Sequence, residues 1–492
     1  MKNQIQLITY VDRIGGKTLK ELKELTDHQL KGLFGGIHLL PFFHPIDGED
    51  AGFDPIDHTL VDPRLGDWSS IKDLSEKLDI MSDVIVNHMS AQSKEFLDFK
   101  AKGEESEYAD LFLSYKRVFP QGASEEDLAK IYRPRPGFSF TNMKIKGEDR
   151  LIWTTFTSNQ IDIDVQSSAG KLYLKRILDQ LEASGVNMIR LDAAGYAIKK
   201  AGTNCFMIDE TFDFIADFEA EASRRGIDVL VEIHSYYKTQ IAIAEKVGYV
   251  YDFALPVLVL DVFYNRTCSR LKNWIGLRPV NTVTVLDTHD GIGIIDVASE
   301  NGQAGLIPDD ILEKLVETMH AKNKEQSRKS TGAAASNLDL YQVNCTYYEA
   351  LGQNDTEYLL ARAIQFFLPG VPQVYYVGLF GDVNDMKLLS ETGVGRDINR
   401  HYYSKAEIEE KLNTPLVKKL KEIMLIRNSH PSFQGVFSLG ETADHELQLR
   451  WENDNHWSEL YIDAEKGEGR LQFSTENGTE ELNINKNYTR GK

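Results

Sequence analysis

Several things are scarce in this chain, and each shortage excludes a class of protein. Three cysteines in 492 residues (Cys205, Cys268, Cys345), far apart and with no CxxC pair, supply neither a disulfide framework nor a zinc site. The longest apolar runs are strand-sized, well short of the ~20 residues that a membrane-spanning helix needs. The opening Met1-Lys-Asn-Gln-Ile-Gln leads into a strand pattern without the apolar stretch of a secretory signal. Positive charge is also scarce: 55 Lys and Arg face 75 Asp and Glu, a formal charge of −20. Such a field opposes nucleic acid and anionic membranes, whereas a neutral ligand is compatible with it. These absences predict a cytoplasmic protein that binds neither nucleic acid nor membrane. An anionic ligand would need a local cluster of arginines.

What is present is a repeated strand–helix pattern. Eight short β-branched runs read as buried strands: Gln6–Val11, Gly36–Leu40, Ile80–Asn87, Val186–Asp192, Val229–His234, Tyr249–Leu255, Val283–Asp287 and Val371–Val377. Amphipathic segments lie between them, such as Lys171–Leu181, with Leu174, Ile177, Leu178 and Leu181 on one face, and another bearing Phe212, Ile215, Phe218 and Ala222. Eight such alternations predict an α/β fold, a closed (β/α)8 TIM barrel. An open doubly wound sheet would place a Gly-rich phosphate loop after the first strand, and Asp12-Arg-Ile-Gly15-Gly16 matches one poorly. Two intervals are too long for simple helices and predict inserted loop subdomains. The expected organisation is barrel over 1–88, insertion over 89–165, barrel over 166–291, a second insertion over 292–352 and barrel over 353–431. Period-two alternation, as in Leu447-Gln-Leu-Arg-Trp451, predicts a small all-β C-terminal domain over 432–492.

Four of the strands end in acid or imidazole groups: Asp83-Val-Ile-Val-Asn-His88, Met188-Ile-Arg-Leu-Asp192, Val229-Leu-Val-Glu-Ile-His234 and Val283-Thr-Val-Leu-Asp-Thr-His-Asp290. Charged groups are costly to bury unless paired, and a catalytic role is a common reason to bury them. Alternation puts Arg190 and Asp192 on one face, where a guanidinium should keep the acid ionised as a nucleophile requires. Glu232 lies between Val231 and Ile233, and apolar neighbours favour the protonated form that suits a general acid. Asp290 could offset positive charge developing on a sugar ring. One anionic and one protonatable carboxyl across a bond are the requirements of glycoside cleavage.

These four blocks resemble, in order, the hallmark motifs of the α-amylase superfamily of retaining glycosidases and transglycosidases. Within it the chain is most similar to the sucrose phosphorylase family. The blocks that carry this are Leu39-Leu-Pro-Phe-Phe43, Gly52-Phe-Asp-Pro-Ile-Asp57, Tyr132-Arg-Pro-Arg-Pro136, Asp287-Thr-His-Asp-Gly-Ile-Gly293, Leu338-Asp-Leu-Tyr-Gln-Val-Asn344 and Gly395-Arg-Asp-Ile-Asn-Arg-His-Tyr-Tyr403. The resemblance implies Asp192 as nucleophile, Glu232 as acid/base and Asp290 as transition-state stabiliser. It implies Asp50, His88, Arg190, His289 and Arg396 as holders of the glucosyl hydroxyls, between Phe53 and Phe156. Gln160, Tyr196 and Ile233 are further liners. Arg135, on the proline-stiffened loop, becomes the phosphate ligand with His234 and Tyr341, while Asp339 and Gln342 read the fructosyl group.

The expected partners are sucrose, inorganic phosphate, fructose and glucose 1-phosphate, with no cofactor and no metal. Asn87 would be a metal ligand in calcium-binding relatives, but no acidic loop of calcium-binding spacing accompanies it. A homodimer is compatible with the sequence and not indicated by it. Phosphorylases of sucrose 6′-phosphate, glucosylglycerol or glucosylglycerate, and a sucrose hydrolase, are the alternative activities. A catalytically dead barrel would lack the nucleophile or the acid, and both are here.

Overall fold

The computed structural model describes residues 1–47, 51–133, 137–331 and 342–485. Eight parallel strands close into a barrel: β1 (Gln6–Thr9), β2 (Gly36–Leu39), β3 (Asp79–Ile85), β4 (Met188–Asp192), β5 (Asp228–Val231), β6 (Tyr249–Asp252), β7 (Thr282–Thr284) and β8 (Val371–Tyr375). Each strand pairs with its neighbours in sequence order, and β8 closes on β1. Several strands are shorter than the apolar runs suggest. β5 stops at Val231 and β7 at Thr284, so Glu232, His234, His289 and Asp290 lie beyond the ladder. There the side chains are no longer held to strict alternation and can converge.

The outer helices follow the expected stripes. The helix Ser168–Ala183 is capped by Ser167, whose side chain accepts from the Gly170 amide, and it buries Leu174, Ile177, Leu178 and Leu181. Full burial of such side chains contributes about 1.5–3 kcal/mol each before entropy is counted. Gly170 is required by close approach: a Cβ there would lie 2.0 Å from the Asp164 carbonyl oxygen. The next helix, Asp209–Ser223, buries Ile215, Phe218 and Ala222 and leaves Phe212 only half-buried.

Both long intervals are tied to the barrel mouth by short antiparallel ladders. After β3, His88–Ser90 pairs with Gln160–Asp162, setting His88 opposite Asp162 and Ser90 opposite Gln160. Between these ends the chain forms helices and a hairpin of Phe140–Ile145 with Glu148–Trp153. After β7, Ile292–Gly293 pairs with Gln342–Val343, setting Gly293 opposite Gln342. The ladders carry remote residues to the strand ends. Farther along, β9 (Val436–Leu439), β10 (Glu446–Asn453), β11 (His456–Asp463), β12 (Glu468–Thr475) and β13 (Gly478–Asn483) form an antiparallel sheet. Leu447, Leu449 and Trp451 face inward by alternation, and the Trp451 indole donates to the Phe367 carbonyl at 2.7 Å.

Candidate active site

At the carboxyl ends of the strands, acids and arginines form a buried ionic lattice. Asp83 on β3 is opposite Arg190 on β4, and the register brings Arg190 Nη1 within 2.5 Å of Asp83 Oδ1. The other Asp83 oxygen meets His38 Nε2 from β2 at 3.0 Å. Arg190 then reaches outward along the alternating face. Its Nη1 lies 3.0 Å from Asp192 Oδ1, and its Nη2 lies 3.0 Å from Glu232 Oε1. One guanidinium thus ties three carboxylates, two on successive strands and one just past the end of the next. Immediately after Asp192 the chain turns off the barrel through Ala193, which adopts the left-handed region at φ 54. Such conformations concentrate at sites where surrounding structure over-determines them.

Asp290 is held separately. Arg396 Nη1 lies 2.9 Å from its Oδ1, and His289 Nε2 is 3.5 Å from its Oδ2. Burial works against its ionised form, but Arg396, Arg400 and Arg190 hold its carboxyl well below the usual carboxylate range. His289 is neutral: burial, with Arg190 and Arg400, keeps it down to about 3 despite Asp290. Phe53 stacks on the His289 ring at 5.0 Å, and the Phe53 carbonyl meets His88 Nε2 at 3.0 Å. Gln160 reaches the same His88 nitrogen at 3.1 Å, and Phe156 lies edge-on to the His88 ring at 5.3 Å. A narrow cavity beneath these groups is lined by His38, Arg190, Glu232, Tyr251, His289 and Asp290. Among the described residues, His289 Nδ1 and Arg400 Nη2 are buried without a hydrogen-bond partner, the kind of group a polyhydroxylated ligand would satisfy.

Two expectations are corrected. Glu232 does not rest among the apolar side chains beside it in sequence; its carboxyl faces Arg190, because Val231 and Ile233 pack into the core. Nor does Arg190 by itself settle Asp192. Burial raises the Asp192 carboxyl well above its ordinary value, Arg190 opposes this, and Glu232, Asp83 and Asp290 reinforce it. Asp192 and Glu232 share one guanidinium, Asp192 on Nη1 and Glu232 on Nη2. Of the Tyr132–Pro136 segment, Tyr132 and Arg133 are described. Arg133 is committed to the protein, donating to the carbonyls of Thr155 (2.9 Å) and Phe156 (3.0 Å).

Of the residues singled out in the sequence, Asp192, Glu232, Asp290, Arg190, His289, Phe53, His88, Phe156, Gln160 and Arg396 surround the strand ends. His234 and Gln342 meet beside them, with Gln342 Nε2 3.3 Å from His234 Nε2. Tyr196 lies one layer outward, packed with Phe156, Phe206 and Tyr132. Ile233 is in the core, its carbonyl accepting from Gln240. Asp50, Arg135, Asp339 and Tyr341 fall outside the described residues.

Sequence reasoning missed His38, Arg400, Asp296 and Lys199. Arg400 stands four residues after Arg396 in an already recognised block, and its Nε donates to the His289 carbonyl at 3.1 Å. Lys199 answers the question raised by Asn87. Its ammonium, buried at 1% exposure, reaches Asn87 Oδ1 (2.7 Å), Asp162 Oδ2 (2.9 Å) and the Tyr196 carbonyl. A side-chain cation therefore occupies the junction of the first insertion with β3 and β4.

A barrel whose strand ends carry Asp83, Arg190, Asp192, Glu232 and Asp290 has the architecture of the α-amylase superfamily, and residues 25–249 match the family described as Alpha amylase, catalytic domain. The chain is 56% identical to a sucrose phosphorylase of Agrobacterium vitis over 476 residues, 96% of this chain and 98% of the relative. It is 53% identical to a sucrose phosphorylase of Bifidobacterium adolescentis over 472 residues, 95% and 94% of the two chains. The crystal structure of a sucrose 6F-phosphate phosphorylase from Thermoanaerobacter thermosaccharolyticum superimposes with a TM-score of 0.91 at 37% identity, covering 98% of each chain. The chain belongs to the sucrose phosphorylase family of the α-amylase superfamily and is an enzyme of glycosyl transfer.

Proposed function

We propose that this enzyme converts sucrose and inorganic phosphate reversibly to α-glucose 1-phosphate and fructose by double displacement. The carrying observation is the placement of Asp192 and Glu232 on the two terminal nitrogens of one guanidinium. That arrangement favours the short spacing of about 5 Å used with a carboxylate nucleophile over the wider gap that admits a water between the carboxyls. In the first step an Asp192 oxygen bonds to the anomeric carbon while a proton passes from Glu232 to the departing fructosyl oxygen, whose bond to that carbon breaks. In the second step a phosphate oxygen bonds to the same carbon, Glu232 takes back a proton from phosphate, and the bond to Asp192 breaks. Configuration is inverted twice and so retained.

Asp290, kept anionic by Arg396 and Arg400, faces the positive charge that develops on the ring. His88, Gln160, His289 and Arg400 hold the glucosyl hydroxyls between Phe53 and Phe156, with Asp50 completing the set. Tyr196 backs the Phe156 wall. On the far side of the bond, Arg135, His234 and Tyr341 hold phosphate, and Asp339 and Gln342 hold fructose. The identities to the two sucrose phosphorylases support sucrose as the donor. A second reading, a leaving group that itself carries phosphate, is favoured by the structural likeness to the sucrose 6F-phosphate enzyme. Product analysis separates these. Sucrose with phosphate should yield glucose 1-phosphate as the main product, and sucrose alone should yield little free glucose. Equal free glucose under both conditions would mean a hydrolase, and turnover of sucrose 6′-phosphate in preference to sucrose would establish the second reading.

A further inference from the structure

His234 is backed by a carboxylate that none of the roles above uses. Asp296, fully buried, places Oδ2 2.8 Å from His234 Nδ1. Its other oxygen accepts from the Ser235 amide at 3.2 Å and from Gln240 Nε2 at 3.3 Å, so the carboxylate cannot rotate away. The imidazole is clamped on its face as well, lying parallel to Phe253 with ring centroids 3.8 Å apart. Gly293 leaves room for the pair: a Cβ there would come within 2.3 Å of Asp296 Oδ2 and 3.1 Å of His234 Nδ1. The same Gly293 is the ladder partner of Gln342, whose Nε2 stands 3.3 Å from His234 Nε2; once that nitrogen carries a proton, the Gln342 amide must turn to offer its oxygen or yield to the ligand. A carboxylate, a ring face and a strand register thus fix one histidine, with one nitrogen turned inward and the other toward the side where Glu232 works.

Resting on the phosphorolysis reading, we propose that Asp296 is a positioning residue: it holds His234 by Nδ1–H and presents Nε2–H as a charged donor to the incoming phosphate. No proton leaves His234 in this step, since Glu232 performs the transfer. A buried carboxylate demands a cationic partner, and the imidazolium is the one in contact with Asp296 among the described residues. Burial disfavours the charged ring, but Asp296, with Glu232 and Asp290 beyond it, raises the His234 pKa above its ordinary value. Among the described residues these are the charged groups facing the ring; Phe253 and Gln342, packed on its other sides, are neutral. A group with a raised pKa is charged below that value and loses its charge as pH rises through it. Phosphate use should therefore persist to higher pH than an isolated histidine, near 6.5, would allow. Water, as the competing acceptor, gains little from the charge.

The test is Asp296→Asn in the full-length chain, a near-isosteric change that removes the charge and permits the wrong ring tautomer. The partition of the glucosyl-enzyme between phosphate and water should shift toward water by roughly tenfold or more above pH 6.5, with KM for phosphate rising and KM for sucrose changing several-fold less. The shift should shrink toward acid pH, where His234 protonates in both proteins. In 15N-histidine-labelled protein, the His234 ring should lose its second proton at lower pH in the variant than in the wild type. In a His234→Asn background, Asp296→Asn should add nothing further to the partition. Unchanged partition, an equal fall in phosphate and water transfer at every pH, or identical His234 titration in the two proteins would overturn the role. Failure of the wild type to form glucose 1-phosphate would instead sink the phosphorolysis reading, and the histidine titration would still judge the Asp296–His234 pair.

Discussion

In the proposed reaction, the glucosyl side and the acceptor side of this site are made from different parts of the chain. On the glucosyl side, Asp83, Arg190 and Asp192 sit on barrel strands, Glu232 directly follows one, and each charge is paired with another. On the acceptor side, His234 and Gln342 come from segments that have already left the barrel, and Arg135, Asp339 and Tyr341 belong to the two long insertions. The difference teaches how a barrel can keep one chemistry and change its partners. Altering a lattice charge leaves its neighbours buried and uncompensated, whereas an insertion can be rewritten without disturbing strand register.

If that division holds, substitutions should grade from abolition to modest bias as they move outward. Asp192→Asn should lower turnover on the order of 10^4-fold or more, because the covalent step has no substitute, with the folded state retained. Near-normal activity in a contaminant-free preparation would break the comparison at its centre. Glu232→Gln should cost sucrose cleavage roughly 10^2–10^4-fold, and cleavage of glucosyl fluoride, whose leaving group needs no proton, much less. Equal slowing of both donors, measured before turnover, would remove the acid role. Lys199→Met tests the seam between the two halves. It strands Asp162, fully buried beside Asn87, and should lower stability by about 3–5 kcal/mol in denaturant titration. A variant as stable as the parent would show that the ammonium is not what joins the insertion to the barrel. Arg135→Ala, in the first long insertion of the sequence, should weaken phosphate use by about 1.5–3 kcal/mol, roughly tenfold to a hundredfold, while transfer to water changes less. An unaltered phosphate-to-water partition would move the phosphate site elsewhere.

The strands were legible because β-branched runs between polar segments have few other uses, and the main acids because an acid at the end of such a run is conspicuous. What escaped is explained by distance along the chain. Arg400 bonds a carbonyl 111 residues away, Lys199 meets an amide 112 residues away, and Asp296 holds a histidine 62 residues away. None carries a local pattern, and an isolated Lys or Asp in a loop looks like any solvated charge. Glu232 misled for the converse reason: its sequence neighbours are apolar, but side chains alternate, and what it faces arrives from β4.

By itself the sequence determined the architecture and the inventory: eight buried strands in order, the insertions after the third and the seventh, and a set of acids and imidazoles at the strand ends. Hydrophobic period and local composition suffice for that, because they act within a few residues. Only the tertiary structure decided how charge is shared among those groups. Arg190 lies between Asp192 and Glu232, Arg396 and Arg400 keep Asp290 ionised, His289 stays neutral, and Lys199 fills the junction beside Asn87. Coulomb energy depends on separation and on the surrounding dielectric, and both are set by packing rather than by position along the chain.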